Sequence, residues 1–329
     1  MDYHSVYRTD TPAFLTDLMD APSLRRLADV GMNCGCEYTS FPLFSSIERY
    51  SRREHSLGTA LIVWRFTSDK KQAVSALLHD IATPVFAHVV DFLRGDYIEQ
   101  TATESGTAEI IRADSLLCSA LRNLGLRVED VEDYHRYPIA DNDPPQLSAD
   151  RLDYTCGNAV NFGISDRQEL SELFADLFVG ENERGEKELI FHSADRAARF
   201  AAIALECSRI YVSDADRYAM QRLSELLRDA LASAVIREDD LASTEEAVIR
   251  KLRSEPVFDA RWESFCAMRR TECATVPDGR EGWRLIRAKK RRIDPFVAGR
   301  GRVSSLDHAL GAALSDFLNT DHDYFVRGE

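Results

Sequence analysis

Long apolar runs are missing from this chain. Nowhere do about 18 or more uncharged apolar residues follow one another, which excludes a transmembrane helix and predicts no membrane partner. The opening residues, MDYHSVYRTDTPAF, lack a basic stretch followed by an apolar one, so no signal peptide is predicted. Positive charge is scarce as well: 41 Lys and Arg stand against 55 Asp and Glu, a formal net charge of −14. Broad binding of nucleic acid or anionic membrane needs a basic footprint and is not expected, although a few clustered arginines can still build a local phosphate pocket. The cysteines cannot all pair, since there are seven. They sit mostly in apolar runs, as reduced thiols of a cytoplasmic protein do. Cys34 and Cys36 find no second pair at zinc-finger spacing. Internal repeats and low-complexity tracts are also absent.

What is there is a chain of 329 residues, 44% hydrophobic, enough for one large domain or a domain with an appendage. Residues 1–47 read as an N-terminal segment with one or two short helices broken at Pro22. Residues 48–236 are rich in apolar residues at helical spacing, with a helix over 76–94 and another over 107–124 that Gly125 ends. Within that region GENERGEKELIFHS alternates charge, turn and apolar residues, a hairpin signature. The run 194–236 predicts at least one long helix, with a break near Ser213 and Asp214. Residues 237–329 change character, with STEE opening an amphipathic helix and a basic stretch, WRLIRAKKRRIDPFV, that reads first as a solvated strand face and second as a phosphate contact. The fold expected is all-α, a helical bundle with a small β-hairpin and a mixed α+β C-terminal appendage.

One stretch carries most of the chemistry. Residues 76–93, ALLHDIATPVFAHVVDFL, are mostly apolar yet hold two histidines and two aspartates. Burying ionisable groups is costly unless they are paired or bind a metal. His79 and Asp80 are adjacent, and two neighbours can clasp one ion lying between their directions. His88 and Asp91 are three apart, on one helical face and within hydrogen-bonding reach; the carboxylate there is expected to fix the imidazole tautomer and favour its protonated form. Partners for the clasp stand in YSRREHSLGTA, which holds His55, and in LSADRLDYTCGN, where Ser148 can cap a helix that Asp150 opens. His55, His79, Asp80 and Asp150 together make a two-imidazole, two-carboxylate set suited to a divalent ion such as Mn, Fe, Co, Ni, Zn or Mg. His135, in a polar and acidic connection, reads as a surface histidine. So does His322, whose HDY lacks an apolar frame.

The order H…HD…D, with REHSLG, LLHDIATPVFAH and ADRLDY around it, resembles the HD-domain phosphohydrolases, and among them the deoxynucleoside triphosphate triphosphohydrolases. The resemblance covers roughly 48–165 and, more faintly, the helices that follow. It implies a metal-dependent enzyme with His55, His79, Asp80 and Asp150 as ligands of the divalent ion. It also implies His88 against the phosphate with Asp91 orienting it, Glu104 at a catalytic position, Arg52 and Arg151 on phosphate, Tyr154 on the sugar, and Asn158 where an aspartate often reads a sugar hydroxyl. Thr83 and Thr103 stand where some relatives carry further histidines, and without those ligands a di-iron oxygenase is set aside. The expected reaction is hydrolysis of a nucleotide, foremost of a (deoxy)nucleoside triphosphate to nucleoside and triphosphate. The alternatives are a nucleotide phosphomonoesterase or phosphodiesterase, and a nucleotide-binding sensor without turnover. The family's later helices often form subunit contacts, so a homo-oligomer, a dimer or higher, is expected.

Overall fold

The computed structural model describes residues 4–95 and 106–329. Near the N-terminus α1 (Ala13–Met19) is followed by α2 (Pro22–Arg25). Pro22 takes the first position of α2, where its missing N–H costs nothing. α3 (Arg52–Thr67) opens on a capping box: Ser51 accepts from the Glu54 N–H while the Glu54 carboxylate accepts from the Ser51 N–H. α4 (Lys70–Leu78), capped by Asp69, delivers His79 at its C-terminal end.

The single helix expected over 76–94 is not formed. α4 stops at Leu78, and α5 (Val89–Arg94) starts only after His88. The physical reason lies in two residues. The His79 ring donates to the Ala76 carbonyl at 2.7 Å, so the last turn's open acceptor is met by a side chain. Pro84 then lacks an N–H and disfavours helical backbone before it. The chain turns through Phe86 and Ala87 at φ 57° and 45°. This irregular stretch crosses between two hydrophobic clusters. Ile81 belongs to the first, with Leu61, Ile62, Leu77, Leu152 and Ile203. Val85 belongs to the second, with Phe86, Phe92, Leu223, Leu227 and Trp262.

The helix expected over 107–124 is two, α6 (Thr107–Ala113) and α7 (Ser115–Asn123), divided at Asp114, whose Oδ1 accepts from the Leu116 and Leu117 N–H groups and caps α7. Gly125 follows at φ 72°, the left-handed conformation that closes a helix. α8 (Ala149–Asn161) is capped by Ser148 and α9 (Arg167–Phe174) by Asp166. The hairpin β1 (Leu177–Glu181) and β2 (Lys187–Phe191) pairs antiparallel with Leu177 opposite Phe191. α10 (Ala194–Tyr211) and α11 (Asp214–Ala232) divide at Val212–Ser213, where Ser213 caps the second.

After α12 (Glu245–Arg253) and α13 (Pro256–Cys266) come β3 (Thr271–Ala274), β4 (Arg284–Ile286), β5 (Phe296–Val297), β6 (Gly301–Arg302), α14 (Val303–Leu306), α15 (His308–Asn319) and β7 (Tyr324–Gly328). The protein is mostly helical, as expected, with two small sheets in strand orders β1-β2-β5-β6 and β3-β7-β4. A lone two-stranded hairpin is marginal in water, and β5, parallel to β2, covers its edge. Among the described residues no helix is long and apolar enough to cross a membrane.

Candidate metal centre and cavity

α3 and α8 meet at two glycines. A Cβ on Gly58 would lie 1.7 Å from Asp153 Oδ1, and one on Gly157 would lie 2.5 Å from the Tyr50 ring. Hydrogen at those positions lets Asp153, fully buried, reach His55 across the interface. Asp153 Oδ2 accepts from the Tyr50 hydroxyl and from His55 Nδ1, each at 2.7 Å, and Oδ1 accepts from the Tyr7 hydroxyl at 2.5 Å. A carboxylate on Nδ1 fixes the His55 tautomer and turns the Nε2 lone pair outward. The Ala76 carbonyl does the same for His79.

The two Nε2 atoms then face each other at 3.2 Å. Two nitrogens each about 2.1 Å from a shared ion stand about 3.0–3.4 Å apart at octahedral to tetrahedral angles. Asp80 Oδ2 lies 3.6 Å from His79 Nε2 and 3.9 Å from His55 Nε2, and Asp150 Oδ1 lies 3.7 Å and 3.0 Å from the same atoms. Ligand atoms of His55, His79 and Asp80 all fall within 4.8 Å of one another. These three acceptors lie around one point, with Asp150 beside the two imidazoles, and they repel unless a cation sits among them. The residues therefore fit a divalent ion, with Asp150 as the carboxylate that closes on the two histidines.

Electrostatics agree with that reading. Burial pushes the Asp80 carboxyl up, but Arg52, at 3.0 Å, and the two imidazoles more than reverse it, holding Asp80 well below the usual carboxylate range. For His55 burial works downward, yet the hydrogen bonds of Asp150 and Asp153 prevail and raise it to about 10.

The centre lines one cavity together with Arg52, His88, Tyr154 and Asn158. His88 Nδ1 donates to Asp91 Oδ2 at 2.9 Å, the expected pair. Its expected protonated form is corrected: desolvation first, then Arg291 and Arg52, outweigh Asp91 and lower His88 to about 4. The imidazole is neutral, and its Nε2 is an acceptor.

No protein-family model matches the chain. It is 26% identical over 206 residues to an uncharacterized protein of Bacillus subtilis, YdhJ, an alignment that covers 62% of this chain and spans 61% of that protein's length. It is also 26% identical over 302 residues to the metal-dependent phosphohydrolase cns2 of Cordyceps militaris, covering 87% of this chain and 81% of that one. Its fold matches the crystal structure of a phosphohydrolase from Bacteroides thetaiotaomicron with a TM-score of 0.68 over 97% of this chain and 96% of that one, at 14% identity. These likenesses support an HD-type phosphohydrolase superfamily.

Thr83, one of the departures, is not idle: its hydroxyl donates to Asp80 Oδ1 at 2.7 Å and holds the carboxylate for the centre. Tyr154 lines the cavity 6.4 Å from the Tyr211 ring. Asn158 donates to the Tyr211 hydroxyl at 2.7 Å while its Oδ1 is left without a donor. Arg151 is not among the lining residues; its guanidinium is taken up by Asn142, Ser148 and Asp141. Glu104 and Thr103 lie outside the described residues. His135 is the expected surface histidine, paired with Asp141. Burial pushes the Cys34 thiol, also on the cavity wall, up to about 12, so it stays protonated.

Sequence reading missed Asp153, although its spacing from Asp150 was a usable signal, since three residues on a helix share a face. It also ranked the basic C-terminal stretch as strand face first, whereas Arg287, Lys289 and Arg291 line the cavity. Asp153→Asn keeps the volume but removes the charge that Tyr7, Tyr50 and His55 share. Metal affinity is expected to fall about 10- to 100-fold, the usual cost of losing such a supporting group. Titration of metal-free protein with Mn²⁺ measures it, and unchanged affinity would take Asp153 out of the centre.

Proposed function

We propose that this chain is a metal-dependent phosphohydrolase acting on nucleotides. The observation that carries the reading is one cavity lined by two kinds of group. The convergent acceptors, Arg52 and His88 share its wall with the aromatic side chains of Phe44, Tyr154, Phe162 and Tyr211, and with the basic residues Arg287, Lys289 and Arg291. Phosphate chemistry fits the charged groups and a nucleoside the aromatic ones.

A divalent ion held by His55, His79, Asp80 and Asp150 supplies Lewis acidity and lowers the pKa of water. The protein's own groups do the rest. Arg52, kept beside Asp80, neutralises charge growing on the phosphoryl oxygens. His88, neutral and aligned by Asp91, accepts a proton at Nε2 from the attacking water and returns it to the leaving oxygen. Within this class we favour release of nucleoside and triphosphate from a (deoxy)nucleoside triphosphate. A second reading, removal of one phosphate from a nucleotide, draws support from Arg151, which is turned onto Asp141 and leaves fewer cations for a polyphosphate.

The test is Mn²⁺-loaded protein against dNTPs, NTPs, mononucleotides and a generic phosphodiester, with products resolved by chromatography. Nucleoside plus triphosphate is the expected outcome. Orthophosphate from a mononucleotide would select the second reading, and silence across the panel with metal bound would overturn both.

A further inference from the structure

Among the described residues three carboxylates line the cavity: Asp80, Asp150 and Asp216. The first two stand at the metal centre. Asp216 does not, and its place in the fold gives it no other task. It is the third residue of α11, where an acid commonly turns back to the N–H of the capping residue. Here the Ser213 N–H goes to the Ile210 carbonyl at 2.9 Å, and Asp216 takes its place on the cavity wall instead. The adjacent Arg217 is no counter-ion: its guanidinium is spent on the Val212, Ile286 and His322 carbonyls and on Asp214.

Among the described residues the Asp216 carboxylate takes one hydrogen bond, from Cys36 Sγ to Oδ2 at 3.5 Å. A thiol is a weak donor. Burial raises the Cys36 thiol well above its usual range, so it keeps the proton it donates. Gly35, at φ 81°, brings that thiol in, since a Cβ there would lie 2.5 Å from Leu223 on the same helix as Asp216. Burial pushes the Asp216 carboxyl up to about 7, further than Cys36, Arg217 and Arg291 draw it down. A carboxylate held at that cost gains strongly from a donor that a ligand brings.

A second acceptor points the same way. Asn158, only 4% exposed on the same cavity, gives its N–H to Tyr211 and keeps Oδ1 without a donor. Buried acceptors without donors are rare in native proteins and call for an explanation. Acceptors in a cavity that also carries aromatic side chains fit a ligand with N–H and O–H groups. A nucleoside is such a ligand, whereas a phosphate, which offers only acceptors and charge, is repelled by a carboxylate. We propose that Asp216 is a specificity-determining residue whose carboxylate accepts a hydrogen bond from an N–H or O–H group of the substrate's nucleoside part, so that the enzyme selects among nucleotides by that donor. The proposal rests on the nucleotide reading and deepens it. The donor is an exocyclic amino group of the base or a hydroxyl of the sugar. A site built to bond a donor rejects the analogue that lacks it, because the site's own polar group is then left unpaired.

The experiment titrates Mn²⁺-loaded protein with nucleosides in a calorimeter. Nucleoside is a product in both readings of the reaction and is not itself hydrolysed. Adenosine, guanosine and cytidine are set against purine riboside, inosine and uridine, which lack the amino group, and against their own 2′- and 3′-deoxy forms, which lack a hydroxyl. Wild type, Asp216→Leu and Asp216→Asn are compared, with melting temperature and metal content measured alongside. In wild type the missing donor is expected to weaken binding about 10- to 100-fold, the size of one hydrogen bond to a charged group. In Asp216→Leu the full nucleoside should bind as weakly as the analogue, and the missing donor should cost nothing. Asp216→Asn keeps the shape and one acceptor but not the charge; it should fall between, and it carries the comparison if the leucine variant melts early. Metal content should not change. The series that shows the penalty, amino or deoxy, names the donor. The same penalty in wild type and both variants, no penalty in wild type, or no nucleoside bound by wild type, overturns the assignment. The two readings fail separately. Donor-dependent binding that Asp216→Leu loses, with no nucleotide turned over by wild type, would sink the nucleotide reaction alone. Nucleotide turnover whose preference among bases and sugars is unchanged in Asp216→Leu would sink Asp216 alone.

Discussion

Asp80→Ala is expected to cost about 10³-fold or more in turnover, the several kcal/mol that a Lewis acid contributes, and to leave the purified protein without its ion. Both effects follow from what each Asp80 oxygen does. Oδ2 reaches toward His79 and His55 while accepting from Arg52 Nη1 at 3.0 Å, and Oδ1 is held by Thr83. Alanine would remove one of the four proposed ligands and leave the buried Arg52 guanidinium facing the centre without its counter-ion. An uncompensated buried charge of that kind is strongly destabilising, and here it also repels the incoming cation. Asp80→Asn separates the two consequences, since it keeps the shape and loses the charge. It should hold its melting temperature better than the alanine variant while still failing to retain metal. Rate, metal content by emission spectrometry and thermal melting settle the matter together. An alanine variant with wild-type metal and a rate within about tenfold would show that Asp80 is not a ligand.

How much of this was legible in the sequence depended on how far apart the partners stand. His88 and Asp91 lie one helical turn apart, so their hydrogen bond could be read from spacing. The four acceptors were legible for a different reason: each is an ionisable residue placed in or beside an apolar run, and such residues need partners. Asp153 carries the same signature but was passed over, because its role depends on His55, 98 positions away, and on the close approach that Gly58 permits. Arg291 was hidden more deeply. It meets His88 across 203 positions, and nothing local distinguishes it from the solvated Arg292 beside it. The helix expected across the motif also failed for a tertiary reason. Hydrophobic periodicity reported that residues 76–93 are buried, and all but Ala82, His88 and Leu93 are. It could not report that the His79 ring would take the Ala76 carbonyl and end the helix there, so that the motif sits in a turn from which both its side chains reach the centre.

His88→Ala should lower the rate about 10²- to 10⁴-fold, the range for a positioned acid–base group, with metal content unchanged. No metal ligand depends on His88: its Nδ1 belongs to Asp91 and its Nε2 faces Arg291 and the cavity. The pH dependence carries the sharper test. An ordinary imidazole is half protonated near pH 6.5 and is lost as a base below it. Burial, then Arg291 and Arg52, bring His88 to about 4, so the neutral, proton-accepting form persists through pH 5–6. The kcat/KM profile, which reports the free enzyme, should therefore show no acid limb near 6.5 that can be assigned to His88. Metal content must be followed over the same range, because protons compete for the imidazole and carboxylate ligands. An acid limb at or above 6.5 in wild type, absent from His88→Ala and unaccompanied by loss of metal, would mean that His88 titrates as an ordinary imidazole and that its cationic neighbours do not govern it. A profile flat through that region, with His88→Ala slow at every pH, is what a neutral base held between Asp91 and two guanidiniums should give.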